Sequence, residues 1–331
     1  MTFFKLRKQI SFLFFLFLCK LYSMKIVRLS KYLVIFMLFL TVLTVGASFY
    51  FFHVAQVREE KTFINNSQRK PDNPLYQLDR DFDQLSVEKR QIVNRGYKQV
   101  AWFLPAKKKT NKTAIVVHGF ANAKENMKPY AMLYYNLGYN VLMPDNEAHG
   151  QSQGNLIGYG WNDKDNLLAW TQLMIKENAE SQISWFGLSM GAATVMMASG
   201  ENVPSQVKTI IEDCGYSSLW DELAYQAKAM YNLPAFPILY EVSLISKIRA
   251  GFTYGEADSL KQLKKNKVPI LFIHGDKDDF VPTKMVYQNY KATSAKKDLL
   301  IVKGAKHARS YQSNKTMYEK KVKEFLEKYS D

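Results

Sequence analysis

A doubly wound, mostly parallel α/β sheet is the fold class this sequence predicts, and three observations predict it. Seven short apolar runs recur from about residue 100 onward, each bounded by turn residues, as buried parallel strands are. Segments of helix length alternate with them, the pattern of strand–helix–strand units. The chain has 331 residues, enough for one large core of this kind plus an appendage.

The elements follow in order. Val100 to Leu104 reads as a preliminary strand. Ala114–Val117, Asn140–Met143, Ile183–Phe186, Thr209–Ile211, Ile270–Ile273 and Leu299–Val302 read as the sheet proper. Lys124–Asn136, Asp163–Glu177, Met190–Ser199, Lys284–Lys291 and Asn314–Tyr329 have the length and spacing of helices. The sequence shows neither an internal repeat nor a low-complexity segment. In such sheets ligands bind at the carboxyl ends of the strands, so chemistry is expected in the loops that follow them.

An apolar N-terminal region precedes the sheet. Tyr32 to Phe52 carries no charge, and residues 1–52 contain no acidic residue. At about 1.5 Å rise per residue this run spans roughly the hydrocarbon core of a bilayer. Lys25, Arg28 and Lys31 precede it, whereas Arg58, Glu59, Glu60 and Lys61 cancel after it. The positive-inside rule then leaves the N-terminus in the cytoplasm and the remainder outside. The rival is a signal cleaved near Ala47, within Val45-Gly46-Ala47-Ser48; the length of the run favours an uncleaved anchor. The earlier run Ile10–Cys19 is too short to span, and Met24 starts a basic-then-apolar anchor by itself. The expected organisation is a stub and anchor over 1–55, a polar linker over 56–84 and a folded domain over 85–331.

Composition excludes several functions. Net charge is +15, but seven basic residues lie before residue 52, leaving +8 scattered over the rest. No helix-turn-helix, zinc-finger spacing or aromatic RNA-binding strand accompanies that charge, so no nucleic-acid partner is expected. Cys19 and Cys214 make no disulfide framework. No H-E-x-x-H, C-x-x-C or phosphate-cradling glycine loop appears, so neither metal nor nucleotide cofactor is implied.

Gly187-Leu188-Ser189-Met190-Gly191 matches G-x-S-x-G, and so does Gly150-Gln151-Ser152-Gln153-Gly154. Context separates them. Ser189 follows a clean apolar strand and precedes Ala192–Ala198, a buried-helix pattern; Ser152 follows a polar loop and precedes more glycine. Only Ser189 has the strand–turn–helix setting that thrusts a hydroxyl out at the sheet edge. A serine hydroxyl needs a base, and the base needs a carboxylate to orient it. The expected order is Ser, then acid, then His. Of five histidines only His307 lies after both the Ser189 turn and the next acidic loop. The strand Ile270–Ile273 runs into Asp276, Asp278 and Asp279, which geometry alone does not rank.

These motifs together carry a family resemblance. Gly275-x-x-Asp278-x-x-Val281-Pro282 resembles the G-x-x-D-x-x-V-P loop of α/β-hydrolases related to prolyl oligopeptidases and bacterial esterases, which implies Asp278 as the triad acid. His118-Gly119-Phe120 resembles that group's H-G loop, which implies the backbone N–H groups of Phe120 and Met190 as the oxyanion hole. Pro144-Asp145 followed by His149-Gly150-Gln151-Ser152 is similar to its P-D-x-x-x-H-G-x-S loop and accounts for the second serine match. Asn146-Glu147-Ala148 departs from it, since relatives often carry Arg-Gly before the His. The resemblance covers about residues 85–331, and the chain as a whole looks like bacterial membrane-bound cell surface hydrolases. It implies a serine hydrolase with Ser189, Asp278 and His307 as its triad, acting on an acyl ester or, alternatively, a peptide; lipase and thioesterase activity share the same triad. The intact triad argues against the rival class, a non-catalytic binding protein on the same scaffold. Residues from about 215 to 267 form an insertion rich in Trp220, Tyr225, Met230, Tyr231, Phe236, Ile238, Leu239 and Tyr240. It is expected as a helical cap over the active site, favouring an acyl or aromatic group.

Overall fold

The computed structural model describes residues 2–59 and 69–330. The chain divides into two compact units, residues 1–51 and 52–331. The first is helical over its described residues, as part of α1 (Thr2–Gln56). Tyr22–Gln56 is long and apolar enough to cross a membrane by length and composition. Every large apolar side chain from Tyr32 to Leu40 is exposed.

The second unit is an eight-stranded sheet in the order β1-β2-β4-β3-β5-β6-β7-β8. Its strands are β1 (Glu88–Asn94), β2 (Tyr97–Leu104), β3 (Lys112–Val117), β4 (Asn140–Pro144), β5 (Gln182–Leu188), β6 (Val207–Asp213), β7 (Ile270–Gly275) and β8 (Lys297–Val302). β1 and β2, and β2 and β4, pair antiparallel; the other five pairings are parallel. The helices are α2 (Tyr76–Phe82), α3 (Lys128–Asn136), α4 (Asp163–Glu177), α5 (Met190–Ala198), α6 (Leu219–Tyr231), α7 (Ile238–Ala250), α8 (Ser259–Leu263), α9 (Lys284–Ala292), α10 (Ser310–Ser313) and α11 (Lys315–Tyr329). The sheet is buried by one apolar cluster on each face: Tyr130, Phe186 and Phe325 belong to one, Trp170, Trp185 and Phe272 to the other. That double burial is why the parallel strands read as near-continuous apolar runs.

All seven expected strands form. β1 is additional: it is an edge strand with half its residues exposed, so its Glu, Lys, Arg and Gln give no apolar run. A two-residue turn with left-handed Arg95 and Gly96 (φ 52° and 80°) joins it to β2, the backbone that suits a tight hairpin. The expected helix over 124–136 divides at Pro129, with a 3₁₀ turn over Lys124–Met127 before α3.

The region expected as a linker over 56–84 is anchored to the fold at both of its described ends. Val57 pairs with Leu156, and Arg58 donates to the carbonyls of Ser152 and Gly150 at 2.7 and 2.6 Å. Farther on, Leu75, Leu78 and Phe82 are buried against the first core cluster. Their spacing of three and four residues is one helix face, obscured in the sequence by the polar residues between them.

Candidate active site

Strand order reverses between β3 and β5, the neighbouring strands from which the chain winds outward in both directions, and such a reversal opens a crevice at the carboxyl ends. Ser189 sits there, between β5 and α5, in a conformation rare for a non-glycine residue, with φ 56° and ψ −114°. Its N–H donates to the Asp213 carbonyl on β6 at 2.8 Å. A backbone held this way costs about 1–3 kcal/mol and persists only where its surroundings enforce it. The flanking glycines enforce it by close approach: a Cβ on Gly187 would strike the Gly191 carbonyl, and one on Gly191 would strike Val117 and His118.

Ser189 Oγ lies 2.9 Å from His307 Nε2, and His307 Nδ1 lies 2.8 Å from Asp278 Oδ2. His307 follows β8 and Asp278 follows β7, so three loops at three strand ends converge. The three candidate aspartates now separate. Asp278 is buried, and its Oδ1 accepts N–H groups from Phe280 and Val281 at 3.0 and 2.9 Å, which aims Oδ2 at the imidazole. Asp276 instead accepts the Gly304 N–H at 2.6 Å and ties two loops together. Asp279 points outward, 4.0 Å from Lys306.

A second imidazole reaches the same carboxylate. His274 Nε2 lies 3.1 Å from Asp278 Oδ2 and 2.9 Å from the Val281 carbonyl. Burial pushes the Asp278 carboxyl up, but hydrogen bonds from His274 and His307 outweigh it and hold it at about 2. Sequence reasoning passed over His274; its signal was its place at the end of β7, immediately before Gly275.

The H-G loop follows β3. Gly119 packs on the serine, so that a Cβ there would lie 3.3 Å from Ser189 Cβ. His118 is buried and accepts the Asn146 N–H at 2.9 Å, while Asn146 Nδ2 donates to the His118 carbonyl at 3.2 Å. His149 Nε2 accepts the Ala121 N–H at 3.2 Å. Asn146, which departs from the family pattern, thus fastens the H-G loop. Phe120 stacks on Tyr159 at 5.5 Å. Met190 opens α5, in the first turn, where backbone N–H groups lack partners within the helix. Ser152 is buried elsewhere: its Oγ donates to the Asp145 carbonyl at 2.8 Å and accepts the Val100 N–H at 2.9 Å.

Residues 125–331, more than half of the chain, match the prolyl oligopeptidase family. The chain belongs to the prolyl oligopeptidase family. It is 31% identical to the uncharacterized protein YqkD of Bacillus subtilis (strain 168) over 282 residues, 85% of this chain and 92% of that one. Among solved structures it resembles the esterase Pf2001 of Pyrococcus furiosus, with a TM-score of 0.62, 21% identity, and coverage of 80% of this chain and 98% of that one. It also resembles the acylaminoacyl peptidase of Pyrococcus horikoshii, with a TM-score of 0.56, 17% identity, and coverage of 76% of this chain and 43% of that one. The shared architecture is the α/β-hydrolase fold, and this family member is a hydrolase.

A cavity of about 790 Å³ opens over Ser189 and His307 in this prolyl oligopeptidase family enzyme. Phe120 and Leu188 form its floor, and Arg69, Asp72, Tyr76, Asp79 and Arg80 form one wall. That wall is the segment expected as linker. It is clamped by Arg69, which pairs with Asp79 at 2.9 Å and donates to the Asn126 carbonyl at 3.2 Å. The insertion over 215–267 is helical, as expected, but none of its described residues lines the cavity. Its polar groups dock it on the acid loop instead: Tyr225 donates to the Asp279 carbonyl at 3.0 Å, and Gln226 to that of Phe280 at 2.6 Å.

Behind the site lies a layer of buried carboxyls. Burial pushes Glu212 and Glu222 each up to about 8. Asp213, held by Tyr318 at 2.9 Å, is pushed by burial to about 6. Among the described residues, one group of possible metal-ligand atoms lies within 4.8 Å: Cys214, Asp278 and His307. Burial holds the Cys214 thiol far above its ordinary value, which disfavours the thiolate that a metal requires.

Proposed function

We propose that this enzyme cleaves a carboxylic ester through an acyl-enzyme, with Ser189 as nucleophile, His307 as base and Asp278 as the group that orients His307. The observation that carries this reading is the unbroken relay of 2.9 and 2.8 Å from Ser189 through His307 to Asp278, opening into the cavity. Ser189 Oγ attacks the acyl carbon while its proton passes to His307 Nε2. Charge develops on the former carbonyl oxygen, for which the backbone N–H groups of Phe120 and Met190 are the proposed oxyanion donors. Collapse breaks the acyl–oxygen bond, and His307 returns the proton to the departing alcohol. Water then repeats the sequence, releasing the acid and restoring Ser189.

The esterase Pf2001 supports the ester reading, because this chain matches nearly all of that protein and less than half of the acylaminoacyl peptidase. A peptide substrate is the second reading. The family favours it, since residues 125–331 match the prolyl oligopeptidase family. A fluorophosphonate probe should label the protein once, and Ser189→Ala should abolish the label. Turnover of short-chain and long-chain acyl esters against aminoacyl amides then ranks the substrates. Faster turnover of the amides would replace the ester reading with the peptidase.

We also propose that Tyr32–Phe52 is an uncleaved anchor that places the enzyme outside the cytoplasmic membrane. The charge asymmetry across the run supports this. Protease added to intact cells should digest the domain and leave a membrane stub; complete protection would reverse the orientation.

A further inference from the structure

The insertion between β6 and β7 carries an exposed apolar face on α7. The inward residues of α7 are Leu239, Val242, Ser243 and Ser246. Outward stand Tyr240, Leu244 and Ile248, four residues apart on one face, 57%, 60% and 77% exposed. A surface helix ordinarily turns its aliphatic side chains inward and its serines outward. Here the inward serines are fully employed. Ser246 Oγ donates to the Phe252 carbonyl at 2.8 Å, and Ser243 Oγ accepts the Tyr254 N–H at 3.0 Å. The outward stripe continues into Phe236, which is 72% exposed. Phe236 and Trp220 set their rings 5.9 and 4.7 Å from Tyr240. On α6 and α7, Lys228, Lys247 and Arg249 are exposed, Lys247 paired with Glu256 at 3.0 Å.

We propose that this face is a second membrane contact: α7 lies in the headgroup region of an anionic bilayer and seats the active-site domain against it. The proposal rests on the anchor reading given above. Two observations select a bilayer as the occupant. The first is place. Phe52 ends the apolar run yet is buried in the second unit, with the Arg249 guanidinium 5.8 Å over its ring. The next turn is locked as well, because Tyr159 donates to the Ala55 carbonyl at 2.6 Å, and Tyr254 to Gln56 Oε1 at 3.0 Å. A run that leaves the bilayer at Phe52 therefore holds the last turn of α7 at the bilayer surface. The second is chemistry. Aliphatic side chains in the middle, aromatic rings beside them and exposed cations on the same helices match what an interfacial helix presents to acyl chains, headgroup level and anionic lipid. The substrate class that such seating serves is an acyl ester partitioned into the membrane.

The test uses the full chain with Cys19→Ser, Cys214 being buried, in vesicles of phosphatidylglycerol and phosphatidylcholine. Nitroxide labels are placed singly at Leu244→Cys, Ile248→Cys and, for reference, Val93→Cys, a 77% exposed position on β1. Collisions with oxygen relative to a water-soluble nickel chelate should be severalfold more frequent at 244 and 248 than at 93. Equal ratios at all three positions, with the protein retained through a carbonate wash, overturn this inference while the anchor stands. Loss of the protein in the wash overturns the anchor and this inference with it. Spin–spin broadening between copies at 244 overturns it in favour of a self-associating face. In a Leu244→Ser/Ile248→Ser variant, hydrolysis of a vesicle-embedded long-chain ester should fall about tenfold, with a short water-soluble ester unaffected. An equal fall for both esters overturns it as well.

Discussion

Gly187–Gly191 and Gly150–Gly154 spell the same pattern, yet only one of them brings a serine to a histidine. Around Ser189 the serine takes the positive φ, and the glycines serve close approach to neighbouring backbone. Around Ser152 the roles reverse: Gly150 and Gly154 take the positive φ, 48° and 108°, and the serine hydroxyl bonds inward to Asp145 and Val100. A motif of five letters therefore specifies either a projecting hydroxyl or a buried loop clasp. The strand and helix around it decide which.

The sharpest test of that contrast is to remove each hydroxyl. Ser189→Ala should lower turnover by on the order of 10⁴–10⁶, as loss of a triad nucleophile does. Ser152→Ala should leave turnover and fluorophosphonate labelling intact while costing about 1–3 kcal/mol of stability, measured by denaturant unfolding, because two buried groups lose a partner. The reverse outcome would exchange the roles of the two loops.

A somewhat smaller effect separates the aspartates. Asp278→Asn should reduce turnover by about 10⁴, because the amide favours the wrong imidazole tautomer. Asp276→Asn should cost little turnover, since its carboxylate holds only the Gly304 N–H. Steady-state kinetics of both variants decide between them.

The smallest effect is on stability against pH. Glu212 and Glu222, each raised from 4.5 to about 8, stay protonated in the fold while the unfolded chain ionises. The unfolded state then binds fewer protons, so their contribution is full below 4.5 and is lost as pH rises to about 8. Thermal unfolding should therefore show Tm falling over that window, and Glu212→Gln should flatten the fall. Asp278 has the opposite sign: held at about 2 rather than 3.8, it stabilises above 3.8 and ceases to as pH falls through 2. An unchanged slope in Glu212→Gln would mean that this carboxyl is ionised in the fold.

Much of the site was legible because it depends on local chemistry in chain order. Apolar strands marked the sheet. The loop after each strand end held Ser189, Asp278 and His307. The elements missed were those whose signal is spread or diluted. β1 is half exposed and polar, and α2 places Leu75, Leu78 and Phe82 on one face of an otherwise charged segment. The insertion was recognised as helical from its content, yet where it docks follows from Tyr225 and Gln226 finding carbonyls some fifty residues onward.

The sequence by itself determined the parallel core, the Ser189 turn, the acid-then-histidine order and the apolar N-terminal run, because periodicity and short motifs are properties of neighbouring residues. The residues alone left Asp276, Asp278 and Asp279 unranked, and only the motif resemblance singled out Asp278; the tertiary structure puts Asp278 on His307 and adds that His274 shares that carboxylate. It also decided that residues 69–83 wall the cavity and that α7 turns Tyr240, Leu244 and Ile248 outward while Leu239 and Val242 face inward. Each of these depends on which loops converge at the strand ends and on which buried polar groups find partners. Those distances arise only when segments far apart in the chain are packed against one sheet.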